Sequence, residues 1–148
     1  MSKYYIGIMC GTSLDSIDIS IVSITPKRIK VKGFDEYKLD NKFKTEINLV
    51  KQSNNSGINL KKINRNLTNL IIKQVNHSLD KHKLTSEDIS AIGFPGITLI
   101  HRPDLKISDY IGDPSLLSQK LKISVISDFR QTDINAGGQG APLAGLFH

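Results

Sequence analysis

Two short stretches of this chain hold the groups best suited to chemistry. The first is Gly11-Thr12-Ser13, a small, hydroxyl-bearing turn near the N-terminus. Such a turn can aim backbone N–H groups at one anion. Gly11 permits a positive φ there, and the Thr12 and Ser13 hydroxyls add donors. Asp15 and Asp18 follow. Carboxylates repel a phosphate directly but can reach it through Mg²⁺ and its waters. An ordinary hairpin turn accounts for the same residues, since the spacing is neither G-x-x-x-x-G-K-[ST] nor G-x-G-x-x-G. The second stretch begins at Arg130. A guanidinium just after a buried strand suits a carboxylate or phosphate, or it pairs with Asp128 or Asp133. Gly137-Gly138-Gln139-Gly140 would let a ligand approach the backbone, or it is simply a flexible loop. His101 is either a base or sugar contact or a satisfied polar group at a strand end. His77 and His82 are expected to be solvated, and Cys10 to be a small buried residue. No His/Cys/Asp/Glu cluster has metal-ligand spacing, and no Ser–His–Asp set can be nominated.

These groups need elements to position them. Tyr4 to Met9 reads as a buried strand. Ile17, Ile19 and Ile21 alternate with polar residues in a second strand. After Thr25-Pro26-Lys27, Ile29, Val31 and Gly33 alternate with Lys30, Lys32 and Phe34 in a third strand with a wet face. Three strands in succession make an antiparallel meander. Asn41 to Val50 suits a helix and Gln52 to Gly57 a loop. A longer helix follows, capped by Asn59, with Leu60, Ile63, Leu67, Leu70, Ile71, Val75 and Leu79 on one face. It should end near His82 or Lys83.

Ile89 to Gly93 is expected to be a strand parallel to the first, and Thr98 to His101 another. Asp113 caps a helix over Pro114 to Leu121, with Pro114 at the first position. Ile123 to Ser127 reads as a buried strand and Ala136 to Pro142 as a backbone-exposing loop. A helix between strands implies crossovers and a mostly parallel extension of the meander. Ligands then bind beyond the carboxyl ends of the strands, where both chemical stretches fall.

The 148 residues suit one domain. No apolar run approaches the roughly 20 residues of a membrane span, and the N-terminus lacks the pattern of a signal peptide. A cytoplasmic location is the expectation, and the single Cys10 agrees with a reducing compartment. The net charge of +6 raises a nucleic-acid partner. The basic residues are spread along the chain with little aromatic interleaving, which favours a solvated surface and no nucleic acid.

The run Ile6-Gly7-Ile8-Met9-Cys10-Gly11-Thr12-Ser13-Leu14-Asp15-Ser16-Ile17-Asp18 resembles the opening motif of the anhydro-N-acetylmuramic acid kinases. Asp128-Phe129-Arg130, Asp133, Gly137-Gly138-Gln139-Gly140-Ala141-Pro142-Leu143 and Phe147-His148 resemble that family's second signature, and Ile111-Gly112-Asp113 also fits. The resemblance spans essentially the whole chain. It implies an α/β fold: the N-terminal lobe of an actin-like ATPase, a mixed sheet with an antiparallel hairpin start and crossover helices. It also implies a bacterial sugar kinase that opens the 1,6-anhydro ring of anhydro-N-acetylmuramic acid and phosphorylates O6, using ATP and Mg²⁺, in cell-wall recycling. By residue match, Gly11, Thr12, Ser13, Leu14, Asp15, Ser16, Ile17 and Asp18 would form the ATP-phosphate loop. Asp15 and Asp18 would hold the metal through water, and Thr98 and Arg130 the sugar. A full-length parent is expected to be a homodimer, with no membrane partner.

The chain departs from the family pattern in places. Cys10 stands for Ser and Ser16 for Gly; Ser16 would oppose a positive φ. Pro95 and Ile97 stand where the family has His and Gln, and Tyr110 where it favours Gln. Pro and Ile cannot replace those hydrogen bonds. The family's chains are more than twice as long. Their later part supplies most of the second lobe and the catalytic Asp of an Asp-Thr-Gly-Pro-Gly-Asn-like motif, so residues 1–148 are expected to be one truncated lobe, inactive alone. Two other readings stand beside this one: a related kinase with a changed anhydrosugar substrate, and a non-catalytic binding remnant.

Overall fold

The computed structural model describes residues 4–52 and 57–143. Strand β1 (Tyr4–Met9) pairs antiparallel with β2 (Ser16–Thr25), and β2 with β3 (Arg28–Lys38), so the meander forms as its alternation predicts. Helices α1 (Asn41–Gln52) and α2 (Gly57–Lys81) follow. Asn59 therefore lies inside α2 and is not its cap. Gln52 and Gly57 are helical, and residues 53–56 of the expected loop lie outside the described residues. Strand β4 (Ile89–Gly93) returns parallel to β1, and β7 (Val125–Ile126) runs parallel to β4. The five-stranded order is β3-β2-β1-β4-β7.

One face of this sheet is closed by helices. Ile6, Ile8, Ile17, Ile19 and Ile21 are buried with Ile47 and Val50 of α1 and Ile63, Leu67, Ile71, Val75 and Leu79 of α2. The three- and four-residue spacing on α2 makes this stripe, and its burial is the main stabilising contribution. A polar cluster gathers around a buried carboxylate at the end of the same face. Buried Asp35 of β3 accepts hydrogen bonds from Ser78 Oγ and Lys81 Nζ of α2, and His82 Nε2 lies 2.9 Å away. Burial alone would raise the Asp35 carboxyl. The Lys81, Ser78 and His82 contacts outweigh it and hold the carboxyl below its ordinary range. His82 is thus a partner of a buried carboxylate and not a solvated side chain. His77 is exposed as expected, its Nδ1 lying 3.1 Å from the Tyr37 hydroxyl.

Strand β3 departs from simple alternation. Ile21 pairs with Gly33 but Val22 with Val31, leaving Lys32 as a bulge. Gly33 faces inward, where a Cβ would strike the His82 ring, whereas Ile29 and Val31 share the outer face with Phe34.

The second sheet is a hairpin of β5 (Ile97–Arg102) and β6 (Ile107–Ile111). Strand β6 has no clear alternation and escapes sequence reading. Ile97 and Ile111 pair and are both buried in the core. Helix α3 (Pro114–Leu121) is capped by Asp113, whose Oδ1 accepts from the Leu116 N–H at 2.9 Å, as its sequence predicts. The apolar run from Ile123 yields only the two-residue β7, with Ile126 exposed. A short helix, α4 (Phe129–Asn135), unforeseen in the sequence, follows directly.

Candidate functional site

The carboxyl ends of β1, β4 and β7 carry the site's loops. After β1, Gly11 to Leu14 forms a β-turn closed by the Leu14 N–H donating to Gly11 O at 3.0 Å. Gly11, Thr12 and Ser13 are exposed, while Leu14 plugs the core at 1 % exposure. That plug decides the backbone: Leu14, not Gly11, takes the left-handed conformation, with φ 58. Ser16 opens β2 as ordinary strand, so Ser in place of Gly brings no strain. Cys10 is half-buried beside the turn, and burial pushes its thiol up to about 11. It is a protonated, weakly reactive thiol at neutral pH.

The two carboxylates near the turn are already engaged. Lys44 Nζ of α1 donates to Asp15 Oδ1 at 3.1 Å. The Ser13 hydroxyl, then Lys44, hold the Asp15 carboxyl below its ordinary range. Ser16 Oγ donates to Asp18 Oδ1 at 2.8 Å. Each carboxylate keeps free lone pairs, which fits contact with a divalent cation through water. Among the described residues, no cluster of three or more His, Cys, Asp or Glu side chains could chelate a metal directly.

Thr98 and Arg130 are brought together. They line one small cavity with Pro95, Tyr110, Asp128 and Phe129. It holds only about 10 Å³, roughly the room of one water. An open cleft of about 370 Å³ is walled by Lys61, Asn64, Asp109, Tyr110, Gly112 and Asp128. Asp109, Tyr110 and Asp128 therefore border both spaces. The Tyr110 ring packs edge-on to Phe94 at 6.5 Å, and Gly96 leaves it room, because a Cβ there would strike the ring. Burial pushes its hydroxyl above the ordinary value; a Ser127 hydrogen bond opposes this and Asp128 adds to it. The Gly11–Leu14 turn is not part of these walls. It lies two strands from β7 in the sheet, about 10 Å at the usual strand spacing.

Arg130 forms no ion pair with Asp128 or Asp133. Its Nη1 donates to Gly140 O at 2.9 Å. Asp133 Oδ2 accepts from the Gly140 N–H at 2.7 Å, and Asp133 O from the Gly138 N–H at 2.8 Å. Gly138 has no room for a side chain, because a Cβ would meet the Asp133 carboxylate. The glycine run is thus a clasped loop wound on α4, and only part of its backbone is open. Helix α4 also grips the hairpin: Gln131 Oε1 accepts from the Ser108 N–H at 2.8 Å. His101 Nδ1 lies 3.4 Å from Ser108 Oγ, a satisfied position at the strand end. The Phe147-His148 end of the second motif lies outside the described residues.

The structure separates the altered positions Pro95, Ile97 and Tyr110. Ile97 is 1 % exposed in the core, so it faces no ligand. Pro95 and Tyr110 do line the cavity. Asp128, which the sequence offers only as a neighbour of Arg130, borders both the cavity and the cleft and holds a left-handed backbone at φ 60. Asp tolerates that conformation better than most residues, a signal that a sequence shows only faintly.

A family model described as anhydro-N-acetylmuramic acid kinase matches residues 3–148. A protein of Mannheimia succiniciproducens with that name is 36% identical over 151 residues, covering 100% of this chain and 40% of the relative. A namesake from a Sulfurovum species is 38% identical over 146 residues, covering 97% of this chain and 41% of the relative. One from Pelagibacter ubique is 35% identical, covering 100% and 41%. The chain thus spans about 40% of the length of the curated relatives it matches.

Proposed function

This chain belongs to the anhydro-N-acetylmuramic acid kinase family, and from that premise we propose that residues 1–148 form the N-terminal lobe of an actin-like, two-lobed sugar kinase. The observation that carries the reading is the match across residues 3–148, which includes both loops at the carboxyl end of the sheet. In the whole enzyme, water adds to C1 of the anhydro sugar and the C1–O6 bond breaks. O6 takes the terminal phosphoryl group of ATP, leaving ADP and N-acetylmuramic acid 6-phosphate. Within this lobe, the Gly11-to-Asp18 segment holds the ATP phosphates by backbone N–H groups and the Thr12 and Ser13 hydroxyls. Asp15 and Asp18 hold Mg²⁺ through water, and the ion supplies neutralisation of phosphate charge. Thr98 and Arg130 contact the sugar. The general base belongs to the other lobe.

Phosphoryl transfer depends on positioning and charge neutralisation in a closed cleft, which one lobe cannot form. Residues 1–148 alone are therefore expected to give no turnover. Joined to the remaining portion of the Mannheimia relative, they are expected to release ADP when given anhydro-N-acetylmuramic acid, ATP and Mg²⁺. Turnover by the chain alone, or none by the joined protein with any anhydrosugar, overturns this reading. The whole enzyme is proposed to be cytoplasmic, where ATP is supplied, and homodimeric. No helix among the described residues is long and apolar enough to cross a membrane.

A second reading keeps the chemistry and changes the sugar. It is favoured by Pro95 and Tyr110 in the cavity wall, where the family has polar side chains. A clear preference of the joined protein for a non-muramic anhydrosugar would support it.

A further inference from the structure

The cavity beside Arg130 and the open cleft beside Lys61 share two carboxylates, Asp109 and Asp128. Each space has one cation of its own, Arg130 in the cavity and Lys61 in the cleft, so in both two acids face one base. Among the described residues, neither carboxylate is in an ion pair. Asp128 stands at the N-terminus of α4, yet its side chain makes no capping hydrogen bond. Asp109 Oδ1 accepts from the Tyr110 N–H at 2.8 Å, which fixes that carboxylate beside the ring. Both keep lone pairs for hydroxyl donors. The cation in the cavity is hard to reach. Arg130 Nη1 is engaged by Gly140 O, and the space beside it holds about 10 Å³, less than a carboxylate needs. Tyr110 walls that space, its ring packed on Phe94 and over Gly96, and Pro95 adds no donor.

We propose that the sugar taken by this lobe is neutral: a 1,6-anhydrohexosamine without the carboxylate-bearing ether arm of the muramic sugar, recognised through its hydroxyl groups by Asp109 and Asp128. This rests on the second reading above, which keeps the phosphoryl transfer and changes the sugar. The carboxylate of a muramic arm meets two like charges in either space, and such a juxtaposition suppresses a partner. A hydroxyl meets two acceptors there and can donate a charge-assisted hydrogen bond to each. Specificity comes as much from repelling the acidic sugar as from attracting the neutral one. The reaction is unchanged. Water adds to C1, the C1–O6 bond breaks, and O6 takes the terminal phosphoryl group of ATP. ADP, the hexosamine 6-phosphate and one proton are released.

Two proteins with the same second lobe test it: the intact Mannheimia relative, and residues 1–148 joined to the remaining portion of that relative. Each is given ATP, Mg²⁺ and either anhydro-N-acetylmuramic acid or 1,6-anhydro-N-acetylglucosamine. The ratio of kcat/KM for the acidic sugar to that for the neutral one should be about tenfold or more lower in the joined protein. Because the second lobe is shared, the difference belongs to this one. Asp109→Asn keeps the acceptor for the Tyr110 N–H and removes one charge. It should raise the ratio of the joined protein about threefold or more, whereas a merely structural loss lowers both sugars alike. Tyr110→Gln, which widens the cavity beside Arg130, should raise the ratio too; Tyr110→Phe, which keeps the ring, should not. A ratio in the joined protein equal to or above that of the relative overturns the proposal and leaves the kinase reading standing. So does a ratio that neither Asp109→Asn nor Tyr110→Gln moves. Absence of turnover with every anhydrosugar overturns the kinase reading, and this proposal with it.

Discussion

The turn after β1 and the wall around Tyr110 both contain glycine, yet they are held differently. The turn is local: one backbone hydrogen bond closes it, Leu14 anchors it, and Lys44 braces it from solvent. The wall is assembled from distant pieces. Asn64 Oδ1 of α2 accepts from the Gly112 N–H, and Thr68 Oγ1 from the Asp113 N–H at 2.9 Å. Gln131 grips β6, and Arg130 and Asp133 clasp the glycine run. Glycine is a convenience in the first region and a necessity in the second. Substitutions should therefore separate the two.

The largest effect is expected at Gly112. Its φ is +127, and a Cβ would enter the Phe94 ring. Gly112→Ala should destabilise the fold by about 3 kcal/mol, combining backbone strain with overpacking; a urea midpoint close to wild type would break the comparison. Asp133→Ala comes next, at about 2 kcal/mol, because it strips the Gly140 N–H of its acceptor. It should also open the Gly137–Gly140 segment to limited proteolysis. Asp113→Ala removes the cap of α3 and should cost about 1 kcal/mol in a denaturant melt.

The turn should respond least. Gly11 does not need a positive φ, and the atom nearest to where its Cβ would stand is 3.6 Å away. Gly11→Ala should leave stability within about 0.5 kcal/mol of wild type; a larger loss would mean that the turn is as constrained as the wall. Asp15 gives a pH test of the same point. Its carboxyl is depressed in the folded state, so whatever stability it contributes is present above the ordinary carboxylate pKa and lost as pH falls through the folded value. Carboxyl NMR titration should show a midpoint below that of an ordinary Asp. Lys44→Ala should bring it back only part of the way, because the Ser13 hydroxyl also holds the carboxyl down.

The same division governs what could be read from the sequence. The meander, α1, the stripe of α2, the parallel return of β4 and the Asp113-Pro114 cap are local patterns, and all are present. Strand β6 and helix α4 are not marked by periodicity; their places are fixed by Gln131, Ser108 and the buried Ile97–Ile111 pair. Ile97 sits in a motif-like run with Pro95 and Thr98, and only strand pairing shows that it points into the core. Gly11 has the residue type that suggests a need for conformational freedom. The core position of Leu14 transfers that demand three residues further along. His82 reads as solvated because the helical wheel cannot show Asp35 arriving from β3.

The bulge at Lys32 also bears on how this hairpin tolerates length change. A strand is read in twos, and β3 contains two frames: Gly33 and Asp35 inward in one, Ile29 and Val31 outward in the other, although all four numbers are odd. Lys32 is the frame shift between them. Deleting it would restore a regular ladder without turning any side chain over. A single-residue insertion or deletion between Gly33 and Lys38 would instead exchange the faces and lift Asp35 away from Ser78. Loss of the residue at position 32 should therefore be silent, and length variation in related hairpins should include its absence.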